Sequence, residues 1–271
     1  MQAELEPSEF AYVLHSLRAE NVVGINNEQL VPREAAVRTA QLQLGLAKLL
    51  EHGWFVAGED GIDANDLLML MVAVVAEPAY VLAATHYLEG NARQTLAYYV
   101  NHGISVELFQ AASGNYVLSR LATTAELAGR LHAAFGALLA PPRWSESLIF
   151  ALPEFEAALA QARAGDYAAL QAAVANNQGG TAELADLSRT LRQLRPVGRI
   201  EGAVVVGANP GAWRELALLG QGSTAGWLAR QDEQAHTITL WPADEKQLAR
   251  LVEELVDALS AEAAGPAVVG R

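Results

Sequence analysis

The stretch AYVLAATHYLEGNARQTLAYYVNHGISVELFQAASGNYVLSRLA, residues 79–122, decides the fold. Upstream of Pro78 apolar residues recur every three or four positions, and downstream the period falls to about two. Segments 79–87, 94–101, 104–110 and 115–122 are rich in Val, Thr, Tyr and Leu. Glu89-Gly90-Asn91, Asn101-His102-Gly103 and Ser113-Gly114-Asn115 separate them. Successive side chains on a strand point to opposite faces, so this alternation between turn-forming groups predicts four antiparallel strands. Thr123-Thr124 then precedes Leu127, Leu131 and Phe135 at helical spacing, which predicts a helix opened by a hydroxyl cap and stopped at Gly136.

Upstream, Val37, Ala40, Leu44, Ala47 and Leu50 step by three and four residues, an amphipathic helix that Gly53 ends. Trp54 to Ala57 and the following Gly58-Glu59-Asp60-Gly61-Ile62 read as a short extended arm and turn. Asp63 is expected to cap a second helix, with Asp66 complementing the positive end of its dipole and Pro78 closing it.

Downstream, Ala140-Pro141-Pro142-Arg143-Trp144 is the expected internal boundary, because prolines cannot continue a helix. Helices are expected near 153–176 and 181–194, then strands at 203–206, 213–219, 226–230 and 237–241. A last helix after Asp244 carries Leu248, Leu251, Val252, Leu255 and Leu259. Two helices, a small antiparallel sheet and a closing helix thus occur twice. Sliding one half over the other by about 120 residues sets Leu127, Leu131 and Phe135 near Gln247, Leu251 and Leu255, so two of the three pairs are apolar, at a period well beyond solenoid repeats. The expected fold class is α+β, with two pseudo-symmetric lobes of order ααββββα at 1–140 and 141–259 and a loose tail at 260–271. The two sheets are expected to pair edges or pack into one layer.

Composition excludes several classes. The 271 residues carry 18 Lys+Arg against 31 Asp+Glu, and a net charge of −13 disfavours phosphate backbones and anionic lipid surfaces. Cysteine is absent, which removes disulfides, thiolate nucleophiles and sulfur-ligated zinc. The apolar run Leu67 to Ala76 is about half of the ~20 residues that span a membrane. Residues 1–6 show no leader pattern, so a cytoplasmic location is the expectation.

Reactive constellations are weak. The histidines His15, His52, His86, His102, His132 and His236 show no ligand spacing, so no metal is expected. The acids of 59–66 lack the Gly and terminal Glu of a calcium loop. Gly220-Gln221-Gly222-Ser223-Thr224-Ala225-Gly226 approaches a dinucleotide fingerprint, yet the residues after it turn again at Asp232-Glu233-Gln234, as in a hairpin rather than a helix. Gly103-Ile104-Ser105-Val106-Glu107 has Glu where a nucleophile elbow needs Gly. Glu253 and Glu254 read as a solvated helix face. The aromatics are more suggestive: Trp213, Trp227 and Trp241 fall in the second sheet, and Trp concentrates in both cores and recognition surfaces.

Leu46-Ala47-Lys48-Leu49-Leu50-Glu51-His52-Gly53, the turn into Gly61-Ile62-Asp63, and the block from Gly222-Ser223-Thr224-Ala225-Gly226-Trp227 to Thr239 through Leu248 resemble the EspG family of type VII (ESX) secretion-associated chaperones. The likeness covers most of 33–136 and 201–259. Family members tend to carry Gly-Arg-Tyr where this chain has Gly226 and Trp227 without the Arg. The resemblance implies a cytosolic protein of two pseudo-symmetric lobes that holds the apolar tip of a PE–PPE helical substrate. The residue patterns themselves lead to the expectation of no enzyme activity and no cofactor. The expected partner contacts are Trp213, Glu215, Leu218, Gln221 and Trp227 on the second-lobe sheet, with a homodimer as a further partner. A small-molecule or nucleotide site in a groove between the lobes, with Gly220 to Gly226 as its handle, is the alternative, and a self-assembling scaffold the third reading.

Overall fold

Alternation over residues 80–121 produces a meander to which the rest of the chain attaches. The computed structural model describes residues 2–265 except 20, 26, 31, 60, 89–91, 141–145, 178–189 and 208. The turn at 89–91, the boundary prolines, the start of the helix expected at 181 and the end of the tail lie outside the described residues.

The first half runs β1 (Gln2–Leu5), α1 (Pro7–Ser16), α2 (Asn27–Leu30), α3 (Ala35–Glu51), β2 (Phe55–Gly58), β3 (Gly61–Ala64) and α4 (Asp66–Ala76). The meander β4 (Tyr80–Tyr87), β5 (Arg93–Asn101), β6 (Ile104–Gln110) and β7 (Tyr116–Leu121) follows, closed by α5 (Thr124–Gly136). The second half opens with β8 (Leu148–Ala151), α6 (Leu152–Arg163) and α7 (Ala168–Asn177). It continues through β9 (Arg195–Val206), β10 (Asn209–Pro210), β11 (Arg214–Gln221), β12 (Thr224–Asp232) and β13 (Thr237–Pro242) to α8 (Glu245–Ala263).

The fold is α+β, with helices on a large antiparallel sheet of order β1-β7-β6-β5-β4-β9-β11-β12-β13-β8 and β10 beside β9. Outward from the β4–β9 pair the order is the same in both directions: a meander, then an edge strand taken from the start of that half. β4 and β9 pair from Tyr80↔Val204 to His86↔Gly198, so the sheet runs unbroken from one half to the other. The hairpin β2–β3 is a separate two-stranded sheet.

One face of the sheet is covered by the two closing helices. Leu127, Leu131 and Phe135 of α5 and Leu251, Leu255 and Leu259 of α8 share a core with Leu82, Tyr98, Ile200, Leu218 and Leu228. On the opposite face α1 and α4 cover Val81, Tyr99 and Val106 in the first half, while α6 and α7 cover Trp227, Ala229 and Leu240 in the second. Tyr98 and Tyr99 enter different cores, as strand alternation requires. Each fully buried Leu or Val contributes about 1.5–3 kcal/mol relative to exposure, so three such clusters hold the layers together.

Several elements differ from the sequence expectation. Asn65, rather than Asp63, caps α4: its Oδ1 accepts from the amides of Leu67 and Leu68 at 3.1 and 3.0 Å, while Asp63 pairs with Val56 inside the hairpin. The helix expected over 153–176 is two helices that break at Gly165 (φ 103°) and Asp166. β9 begins at Arg195, eight residues ahead of the expected 203, and α8 continues through 260–263, where the tail was expected to start. The cap at Thr123 is where the sequence puts it, its Oγ1 accepting from the Glu126 amide at 3.1 Å, and Asp244, after which the last helix was expected, caps α8 by accepting from the Gln247 amide at 2.7 Å. Among the described residues no helix is long and apolar enough to cross a membrane.

Candidate partner-binding surface

The residues expected to bind a partner do not form one surface. β11 places Leu216 and Leu218 in the core under α5 and α8, because even positions along this strand face that side. Leu218 is fully buried there. Trp227 is fully buried too, on the opposite face, packed with Phe155, Leu170 and Leu240. Neither side chain has area left for a partner, which corrects both expectations: α6 and α7 claim Trp227, and the closing helices claim Leu218. Trp213, 43% exposed, precedes β11, and Glu215 is exposed two residues later. Gln221 ends the strand, about 25 Å from Trp213 at ~3.3 Å per residue.

Trp213 and Glu215 border a charged strip. Glu215 lies directly opposite Glu201 on β9, an arrangement of like charges that destabilises a ladder unless something compensates. Arg199 does so, with Nε 2.9 Å from Glu201 Oε2 and a guanidinium nitrogen 4.0 Å from Glu215. Burial, followed by the charge of Glu215, still holds the Glu201 carboxyl above its ordinary range, against the opposing pull of Arg199. Val206 at the end of β9 is also exposed.

A larger apolar surface lies on α3. Its inner side is fixed to α1 by a close backbone approach at Gly45, where a Cβ would stand 2.1 Å from the carbonyl oxygen of Ser8. Polar contacts reinforce this seat. Lys48 pairs with Glu6, and His52 Nδ1 is 2.8 Å from Oε1 of the buried Glu9, whose other oxygen accepts from the amide of Glu6 at 2.7 Å. Leu49 is buried on this side and Leu46 packs against the same core.

The stripe Val37, Ala40, Leu44, Ala47 and Leu50 therefore faces outward, with Leu44 51% exposed. The hairpin after α3 adds Val56 and Ile62, exposed on opposite faces of the ribbon, while Phe55 anchors its base against Tyr12 with ring centroids 5.8 Å apart. Sequence reading found the stripe but not its direction; the competing stripe Leu42, Gly45, Leu46 and Leu49 was the available signal for the inner side. Spacing of three and four along 17 residues is what a second helix interdigitates with.

Among the described residues no three His, Asp or Glu side chains converge as a metal site. Gly220 to Gly226 closes the β11–β12 hairpin, as its flanking residues indicate: Gly222 turns with φ 62°, and a Cβ on Gly220 would meet the Thr224 carbonyl oxygen at 1.7 Å. These glycines are spent on the turn.

No family profile matches the sequence, and no curated protein matches it. Among solved structures the chain is similar to the Mycobacterium tuberculosis type VII secretion system chaperone EspG5, determined in complex with a PE25–PPE41 dimer. The TM-score is 0.64 at 14% identity, covering 95% of this chain and 96% of that one. The likeness is one of fold.

Proposed function

We propose that this protein is a non-catalytic, cytoplasmic chaperone or adaptor that shields the apolar end of a helical secretion substrate of the PE–PPE kind. The observation that carries the reading is the whole-length likeness in fold to a chaperone bound to such a dimer. The outward stripe on α3 and the exposed hairpin supply what the reading needs in this chain: apolar area at helical spacing that the fold itself leaves uncovered. The mirrored strand order further supports descent of the two halves from one duplicated unit.

Of the contacts expected from sequence, Trp213, Glu215 and Gln221 remain proposed as a partner surface on the second half, and α3 with its hairpin is the stronger one. Co-expression with the PE–PPE-like pair encoded nearest the gene, followed by calorimetric titration, tests the proposal. Leu44→Glu is expected to weaken the complex more than tenfold with an unchanged melting temperature, and Trp213→Ala to weaken it less. If no complex forms, or if Leu44→Glu and Trp213→Ala both bind as the parent does, the reading is wrong.

A further inference from the structure

α1 ends in a turn in which the Ala19 amide donates to Leu14 O at 2.9 Å and the Arg18 amide to His15 O at 3.0 Å. This is the Schellman pattern, and its residue after the cap takes a left-handed conformation that glycine adopts without cost. The protein follows that rule after α3, α6 and α8, with Gly53, Gly165 and Gly265 at positive φ. After α1 it places Arg18 there, at φ 58°, a conformation costing an L-residue roughly 1–2 kcal/mol. Backbone strain held at one position points toward a use for its side chain.

Arg18 lines a cavity of about 640 Å³ between α1, α2 and the first turns of α3, together with His15, Arg33 and Arg38. No acid is among the described residues that line it. Elsewhere Arg199, Arg214, Arg230 and Arg250 are each ion-paired to a glutamate. Arg18 and Arg38 have no ion pair among the described residues; Arg38 Nε donates to Pro32 O at 3.0 Å, which aligns its guanidinium.

The wall opposite α3 is fixed in place. Asn27 Oδ1 accepts from the Val22 amide at 2.9 Å, Gln41 Nε2 donates to Leu30 O at 3.2 Å, and the Tyr99 hydroxyl donates to Val23 O at 2.6 Å. The floor is aliphatic, with Ala11, Leu30 and Leu42.

We propose that this cavity binds a small anion carrying phosphate groups, held by Arg18 and Arg38. Guanidinium groups bind phosphate oxygens in paired hydrogen bonds, and the volume suits a small ligand. Among the described residues no aromatic side chain lines the cavity to stack a base, and a pyrophosphate or sugar phosphate is the ligand class proposed.

Calorimetric titration of the full chain with sodium pyrophosphate at constant ionic strength tests this, with citrate as the competing anion and Arg250→Gln as a control outside the cavity. The expected result is saturable 1:1 binding, unaffected by Arg250→Gln, weakened at least tenfold by Arg18→Gly and likewise by Arg38→Gln. Arg18→Gly is also expected to keep or raise the melting temperature, because glycine relieves the left-handed turn, so lost binding cannot be ascribed to unfolding. Absence of binding at millimolar pyrophosphate, equal binding by Arg18→Gly, or citrate binding as tightly as pyrophosphate overturns the proposal.

Discussion

α3 and α8 look alike in sequence and differ in how they are used. Both carry apolar residues every three or four positions over 17 and 19 residues. On α8 that pattern is wholly internal: Leu248, Leu251, Val252, Leu255, Val256 and Leu259 are all buried against the sheet and α5. On α3 the corresponding stripe faces away from the molecule, and the seat is made by a glycine, Leu46 and Leu49, and a few polar contacts. Periodicity therefore establishes that a helix has an apolar face, while what covers that face is decided by the neighbours the fold brings to it.

The contrast can be broken most directly by truncation. Leu251→Ala on α8 is expected to cost about 2–5 kcal/mol in urea denaturation, since it opens a cavity in the core shared with α5 and the sheet. Leu44→Ala on α3 is expected to stay within about 0.5 kcal/mol; equal costs would mean that α3 is covered in the isolated chain. Next in size is Gly45→Ala. An exposed helix gains by roughly 0.5–1 kcal/mol from such a change, but here the added methyl meets the Ser8 carbonyl, and a loss of about 1–3 kcal/mol is expected in the same assay.

Capping sharpens the comparison further. Asp244→Ala removes a side-chain acceptor from α8 and is expected to lower stability by about 1 kcal/mol. Glu34→Ala at the start of α3, where no side-chain cap bond exists, is expected to be near neutral. The smallest effect lies on the strand beneath α8 but on its other face, at Glu201. A carboxyl whose folded pKa is raised gives stability that is present below its unfolded pKa and lost as pH rises through the folded value. Glu201→Gln stays neutral, so the melting temperature of this variant minus that of the parent is expected to grow from pH 4 to pH 7. A flat or falling difference would remove burial as the governing influence.

Legibility in the sequence followed the range of the interactions concerned. The meander, α5 and the start of α8 are written in local alternation and cap chemistry, and the structure places them within a residue or two, while α8 runs four residues past its expected end. β1 and β8 are four residues each and owe their state to pairing with β7 and β13, far away in the chain, so no local period announces them. α1 did leave a signal that went unread: Pro7 at its start, with Glu6 and Glu9 forming a reciprocal cap. Among the site residues, exposure of Trp213 and Glu215 agrees with their place at the start of a strand. Burial of Leu218 and Trp227 depends on helices packed onto both faces of that sheet, which strand alternation alone does not reveal.

The β4–β9 seam has a mechanical consequence. Sliding or tilting one half against the other would tear a row of backbone hydrogen bonds in the middle of the sheet, so the molecule acts as a stiff beam instead of a clamp. Whatever rests near α3 and whatever rests near Trp213 are kept at one fixed spacing, as marks on a ruler are.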